Sequence, residues 1–141
     1  MRFWDGSGFV PLLAEEASTR AMQRVFADDP EIATWWATPV ECASAIQRRA
    51  RMGTAKPGDT ARSHQRLSEL MSACLEISPG ERLRDLAARL VRVHDLRAGD
   101  ALQLAAAIVA SENRPETLDL VTLDDRLADA ARREGFRVLS A

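Results

Sequence analysis

The stretch 96-LRAGDALQLAAAIVA-110 constrains the fold more than any other part of this chain. Apolar residues occupy nearly every side of it, and a helix that is apolar all round has to be covered by several neighbouring elements. One acid, Asp100, stands in its opening turns, where an unpaired charge is costly. At 141 residues, 46% of them hydrophobic and 28% charged, the chain has the length of one domain over 1–141 and enough apolar side chain to build a core. A net charge of −2 argues against a generally basic nucleic-acid coat, and the balance of residue types argues against a disordered tail.

Short β-type segments at 2-RFW-4, 32-IATWW-36, 118-LDLVTL-123 and 136-FRVL-139 alternate with helical patterns over 8–28 (with a break), 39–52, 60–75, 80–93, 97–111 and 125–134. This alternation predicts an α/β domain with a mostly parallel sheet. The segment 52-MGTAKPGD-59 reads as the tip of a helical hairpin spanning approximately 39–75. The longest apolar run, 104-LAAAIVA-110, falls short of the roughly 20 residues a membrane span needs, and acids interrupt the N-terminal segment where a signal peptide would stay apolar. A cytoplasmic location without a membrane partner is expected. Cys42 and Cys74 have no partners at zinc spacing and read as reduced packing thiols.

The acids fall at telling positions. The first β segment runs into Asp5 and the third into Asp124, with Asp125 behind it. Ligands of parallel sheets bind beyond the carboxyl ends of the strands, so these aspartates are candidates for one site. Aspartate is also a favoured helix N-cap, and 124-DDRLADAARREG-135 needs one. Glu41 is equally double-edged: 38-TPVE-41 has the form of a capping box with Thr38 as N-cap, and 78-SPGE-81 repeats the pattern before another amphipathic helix. On the helix 39–51, Val40, Ala43, Ile46 or Gln47, and Ala50 form the expected inward stripe, with Glu41 at its border. Asp100, in line with Arg97, Gln103 and Ala107, is either a site carboxylate or part of one polar stripe.

The blocks 5-DGSGFVPLL-13, 39-PVECASAI-46, 96-LRAGDALQLAAA-107 and 121-VTLDDRLADAARREGF-136 resemble the four signature blocks of PIN-domain ribonucleases, most closely the VapC toxins of VapBC toxin-antitoxin pairs. The resemblance implies a three-layer α/β/α sandwich with a protruding helical hairpin. It implies a metal-binding and catalytic quartet of Asp5, Glu41, Asp100 and Asp124, with Ser7 and Thr122 supporting the acids, Ser7 being also a possible helix N-cap. The family pattern favours Asp124 over Asp125 as the acid facing the site. Two features depart from it: Gly6 and Gly8 flank Ser7 where relatives more often carry a small apolar residue, and Gln103 stands where histidine is frequent. The implied partners are an RNA substrate, a VapB-like antitoxin and a second copy of the chain.

Clustered carboxylates repel by roughly 3–4 kcal/mol per pair at an effective dielectric near 20, and a hard divalent ion relieves that repulsion. An all-oxygen set without His or Cys favours Mg²⁺ or Mn²⁺ over zinc. His64 shares a stripe with Leu67, Met71 and Cys74 and reads as packed, and His94 falls at a helix end. Arg48, Arg49, Arg51, Lys56, Arg62 and Arg66 stand against Asp59 alone between 48 and 66, which fits either phosphate guidance or plain solvated helix faces. Trp35 and Trp36 are expected to straddle a strand end and pack rather than stack on bases.

Other classes fit less well. A receiver domain needs a lysine after a late strand, and the only lysine, Lys56, lies in a loop. The pattern 6-GSG-8 lacks the third glycine of a dinucleotide fingerprint, and no P-loop is present. The rivals that remain are a PIN-like binding or assembly module without catalysis and a housekeeping RNA-processing nuclease.

Overall fold

A computed structural model describes residues 1–141. Five short strands, β1 (Arg2–Trp4), β2 (Ile32–Trp35), β3 (Leu75–Ile77), β4 (Leu120–Val121) and β5 (Val138–Leu139), form one sheet in the order β3-β2-β1-β4-β5. Every pair in it is parallel. Seven helices connect and cover the sheet: α1 (Gly6–Leu13), α2 (Thr19–Asp28), α3 (Thr38–Arg51), α4 (Asp59–Ser72), α5 (Glu81–Val93), α6 (Ala98–Ala110) and α7 (Asp125–Arg133).

Successive residues of a strand point to opposite faces, and here they feed two separate cores. Phe3, Ala33, Trp35 and Leu120 face one side, where α5, α6 and α7 pack through Leu83, Leu90, Leu104 and Leu127. Trp4, Ile32 and Val121 face the other, against Phe9 and Leu12 of α1, Met22 of α2, Cys42 and Ile46 of α3 and Leu67 of α4. The result is the expected α/β/α sandwich, its central sheet buried on both faces. The helix that opened the sequence reading is α6, whose Ala101 and Leu104 to Ala107 are fully buried.

The strand order places the site. From β1 the chain crosses to β2 and β3 on one side and later to β4 and β5 on the other, so the order reverses between β1 and β4. The segments leaving these two strands diverge and open a crevice at their carboxyl ends. α3 and α4 pack together as the anticipated hairpin, joined by the exposed loop 52–58.

The structure corrects several local expectations. The helical reading of 60–75 stops at Ser72, and Leu75–Ile77 is an edge strand paired with β2. Neither capping box forms: α3 is preceded by Ala37 and α5 by Gly80, both without a side-chain cap bond. Val40 is 70% exposed instead of facing inward, and the buried face of α3 is Thr38, Cys42 and Ile46. Ser7 is not an N-cap, because α1 starts one residue earlier and Asp5 caps it. Trp35 is buried at the end of β2 and Trp36 is exposed beside it, their rings 6.3 Å apart and edge-on. His64 bonds Gln47, and His94 ends α5 with its ring against Glu134. Both cysteines are free, with Cys42 wholly buried and its thiol pushed up to about 12 chiefly by that burial.

Candidate active site

Asp5 follows β1 and accepts the Gly8 N–H at 3.1 Å, so the acid that ends the strand also caps α1. Ser7, in the first turn of α1, donates to both Asp5 oxygens at 2.9 and 3.1 Å. With its proton so engaged, Ser7 accepts from the Leu123 N–H at 2.8 Å and from the Thr122 hydroxyl at 3.2 Å. Thr122 in turn accepts the Asp124 N–H at 3.0 Å. A continuous polar chain thus ties the end of β4 to the Asp5 carboxylate across the strand gap, with Thr122 and Asp5 buried and Ser7 half-buried. Gly8 lets these parts approach: a Cβ there would stand 3.2 Å from the Val121 carbonyl and 3.3 Å from the Trp4 ring.

Asp124 is the N-cap of α7, accepting from the Leu127 N–H at 2.8 Å, and it also lines the crevice. Asp124 therefore fills the capping role and also faces the crevice. Asp125 is exposed and outside the lining. Glu41 in the first turn of α3 reaches the same crevice, where its Oε2 accepts from Gln103 Nε2 at 2.8 Å. Glu81, its sequence twin at the start of α5, stays in solvent near Arg84. Asp100, at the exposed opening of α6, completes the set.

Together Asp5, Glu41, Asp100 and Asp124 line one cleft of about 530 Å³, with Ser7, Glu16, Arg48 and Arg49 also on its walls. Each acid comes from a different segment: Asp5 and Asp124 follow the strands that flank the reversal point, while α3 and α6 bring Glu41 and Asp100 to it. Arg49 is bound by Glu16 at 2.9 Å and by the Glu15 carbonyl. Arg48 forms no ion pair. Arg51 lies outside the cleft, and Lys56 lines a second cavity of about 350 Å³ with Arg49 and Arg62. Sequence reading missed Glu16. Its signal was the pairing of 15-EE-16 with 48-RR-49, opposite charges that only the fold brings together.

The electrostatics are those of partly buried carboxylates brought close together. Burial pushes Asp5 up to about 6 against the pull of its hydrogen bonds. Glu41 is raised by burial and then by the charge of Asp100, while the Gln103 bond opposes the shift. Asp100 is raised by burial and by Asp124. The donor set is all oxygen, as a hard divalent cation prefers. The cleft is open, however, and no three His, Cys, Asp or Glu side chains stand close enough together to grip an ion. The fit to a metal is one of donor chemistry and unrelieved charge.

These features define a parallel α/β domain whose acidic, arginine-flanked cleft opens at the sheet's reversal point. The chain belongs to the PIN domain family, whose model matches residues 3–133. No curated protein matches it. Among solved structures it is similar to a toxin-antitoxin complex from Klebsiella pneumoniae, with a TM-score of 0.67 at 17% identity over 91% of both chains. It is also similar to VapC20 of Mycobacterium tuberculosis, described as a sarcin-ricin loop cleaving toxin, with a TM-score of 0.65 at 16% identity over 96% of both chains. VapBC2 from Rickettsia felis bound to a promoter DNA fragment gives 0.63 at 13% identity, over 99% of this chain and 98% of that one. At such identities the likeness is one of fold.

Proposed function

We propose that the chain is a metal-dependent endoribonuclease of the VapC type, a toxin held in check by a VapB-like antitoxin. The observation that carries the reading is the convergence of Asp5, Glu41, Asp100 and Asp124 on one cleft in a PIN domain. Mg²⁺ or Mn²⁺ held by these four residues would supply Lewis-acid activation of a water and neutralise the charge developing on the phosphate. The chain's own groups supply the rest. One of the four carboxylates takes a proton from an attacking water, and Asp5 is the most firmly held of them. Ser7 holds that carboxylate by both oxygens and so fixes its orientation. Arg48, unpaired on the cleft wall, is placed to meet the RNA backbone, and Arg49 can join it on leaving Glu16. Cleavage in this sense leaves 5′-phosphate and 3′-hydroxyl ends.

The toxin assignment draws on the solved structures it resembles, described as a toxin-antitoxin complex, a sarcin-ricin loop cleaving toxin and VapBC2 bound to promoter DNA. Partners follow by analogy: an antitoxin segment that covers the acidic cleft, and a second copy of the chain. No helix is long and apolar enough to cross a membrane. A cytoplasmic location belongs to the toxin reading. A short upstream reading frame encoding a DNA-binding protein would separate a toxin from a housekeeping nuclease.

The test is Mn²⁺ added to purified protein, read by melting temperature and by sequencing of RNA ends. Ion binding at about 100 times Kd should stabilise the fold by about 2.7 kcal/mol, and Asp100→Asn should remove both the shift and the cleavage. If Mn²⁺ moves neither, the cleft is a binding surface without catalysis, consistent with its loosely spaced acids. Arg48→Ala should weaken RNA binding across sequences and lower the slope of log K against log salt by about 0.7 for a single strand, measured by filter binding over a KCl series.

A further inference from the structure

Gln103 is a deeply buried polar side chain that this mechanism leaves unused. It is 2% exposed and sits one turn beyond Asp100 on α6. Its Nε2 donates to Glu41 Oε2 at 2.8 Å and to Thr38 Oγ1 at 3.1 Å, while its Oε1 is buried without a partner. A buried acceptor left unsatisfied costs free energy and offsets what the two donated bonds contribute to stability. Stability alone therefore does not account for it, and the one charged group it touches is Glu41. On the other side of that carboxylate stands Gly6, where a Cβ would lie 2.9 Å from Glu41 Oε2 and 3.4 Å from Glu41 Cβ. Any side chain at position 6 would crowd the space the carboxylate occupies. The two departures from the family pattern thus enclose one oxygen.

We infer that Gln103, with Gly6 opposite, is a positioning residue that holds the Glu41 carboxylate in a slot at the cleft wall and so sets the affinity for the divalent ion. The inference rests on the metal-dependent reading of this cleft. An amide suits the task because it donates a hydrogen bond without a charge. A protonated imidazole in its place would put a cation beside the ion the acids are to receive. α6 then has two duties on one face, presenting Asp100 and steadying Glu41 three residues later.

Isothermal titration with Mn²⁺ on the full chain tests this, with nuclease activity as a second readout. Gln103→Met, close in shape but without the donor, is expected to weaken Mn²⁺ binding by about 10- to 100-fold, the range for loss of a group that orients a ligand. Its melting temperature without metal should change little, since losing the unsatisfied acceptor offsets the two lost donor bonds. Gln103→Leu is the alternative should the methionine variant fold poorly. Gln103→His keeps a ring N–H donor and should retain part of the affinity. Gly6→Ala should weaken binding from the opposite side. In a Glu41→Gln background, Gln103→Met should add nothing, because both changes act through the same oxygen.

A merely structural amide gives a different pattern. Thr38→Val, which removes only the second bond, would then weaken Mn²⁺ binding as much as Gln103→Met does, and the effect would persist in the Glu41→Gln background. Either of these results, or wild-type affinity in Gln103→Met, overturns the inference. If the wild-type chain takes up no Mn²⁺, the metal reading fails and this inference falls with it, a result visible before any variant is made.

Discussion

Asp5→Asn is expected to abolish RNA cleavage while making the metal-free protein more stable. Removing this carboxylate should lower kcat by at least about 10³-fold, on the order of 4 kcal/mol of barrier. The stability effect has the opposite sign because the native chain holds the Asp5 proton too tightly. Its carboxyl is raised to about 6, from 3.8, chiefly by burial. Between these values the folded state binds more proton than the unfolded one, so stability is full below about pH 4 and falls as pH rises through 6. By pH 8 the loss is on the order of 3 kcal/mol. Asparagine carries no charge to desolvate, yet it cannot accept with both side-chain atoms as the carboxylate does from Ser7 and Gly8. A net gain of about 1–3 kcal/mol at pH 8 follows, vanishing near pH 4. Urea denaturation in EDTA at the two pH values measures it. A less stable Asp5→Asn protein at pH 8 would show that burial does not dominate at this carboxylate.

The same residue shows what the sequence makes legible. Strands that end in acids place Asp5 and Asp124 at the carboxyl end of a parallel sheet by pattern alone, whereas Asp100 joins them only through the resemblance to PIN-domain ribonucleases. The sandwich itself is readable because Phe3 and Trp4, or Leu120 and Val121, are apolar in succession, as strands buried on both faces must be. β3 is not readable for the converse reason. Leu75 and Glu76 are exposed on an edge, so no periodicity marks them, and pairing with β2 is what makes the segment a strand. Glu41 and Glu81 share one local motif and separate only when Gln103 reaches across from α6. The four-residue spacing of a capping box is blind to a donor 62 residues away.

Asp124 supports both a helix and the cleft, and the two roles can be pulled apart. Asp124→Ala removes the acceptor for the Leu127 N–H and should cost about 0.5–2 kcal/mol of stability, together with the nuclease activity. Asp124→Asn keeps a cap of nearly equal strength, so it should melt close to wild type and still cleave no RNA. In both variants Asp100 loses the neighbouring charge that helps raise it, and its carboxyl should titrate lower. Asp125→Ala forfeits only a first-turn acid near the helix dipole, on the order of 0.3–1 kcal/mol, and should stay active because its side chain lies outside the cleft. Thermal melts and RNA cleavage by the three variants decide the matter. Since Asp5→Asn stabilises and Asp124→Ala destabilises while both silence the enzyme, a shared loss of activity cannot be a shared loss of fold. An Asp124→Asn protein with undiminished RNA cleavage would reduce Asp124 to a helix cap and leave the proposed quartet with Asp5, Glu41 and Asp100.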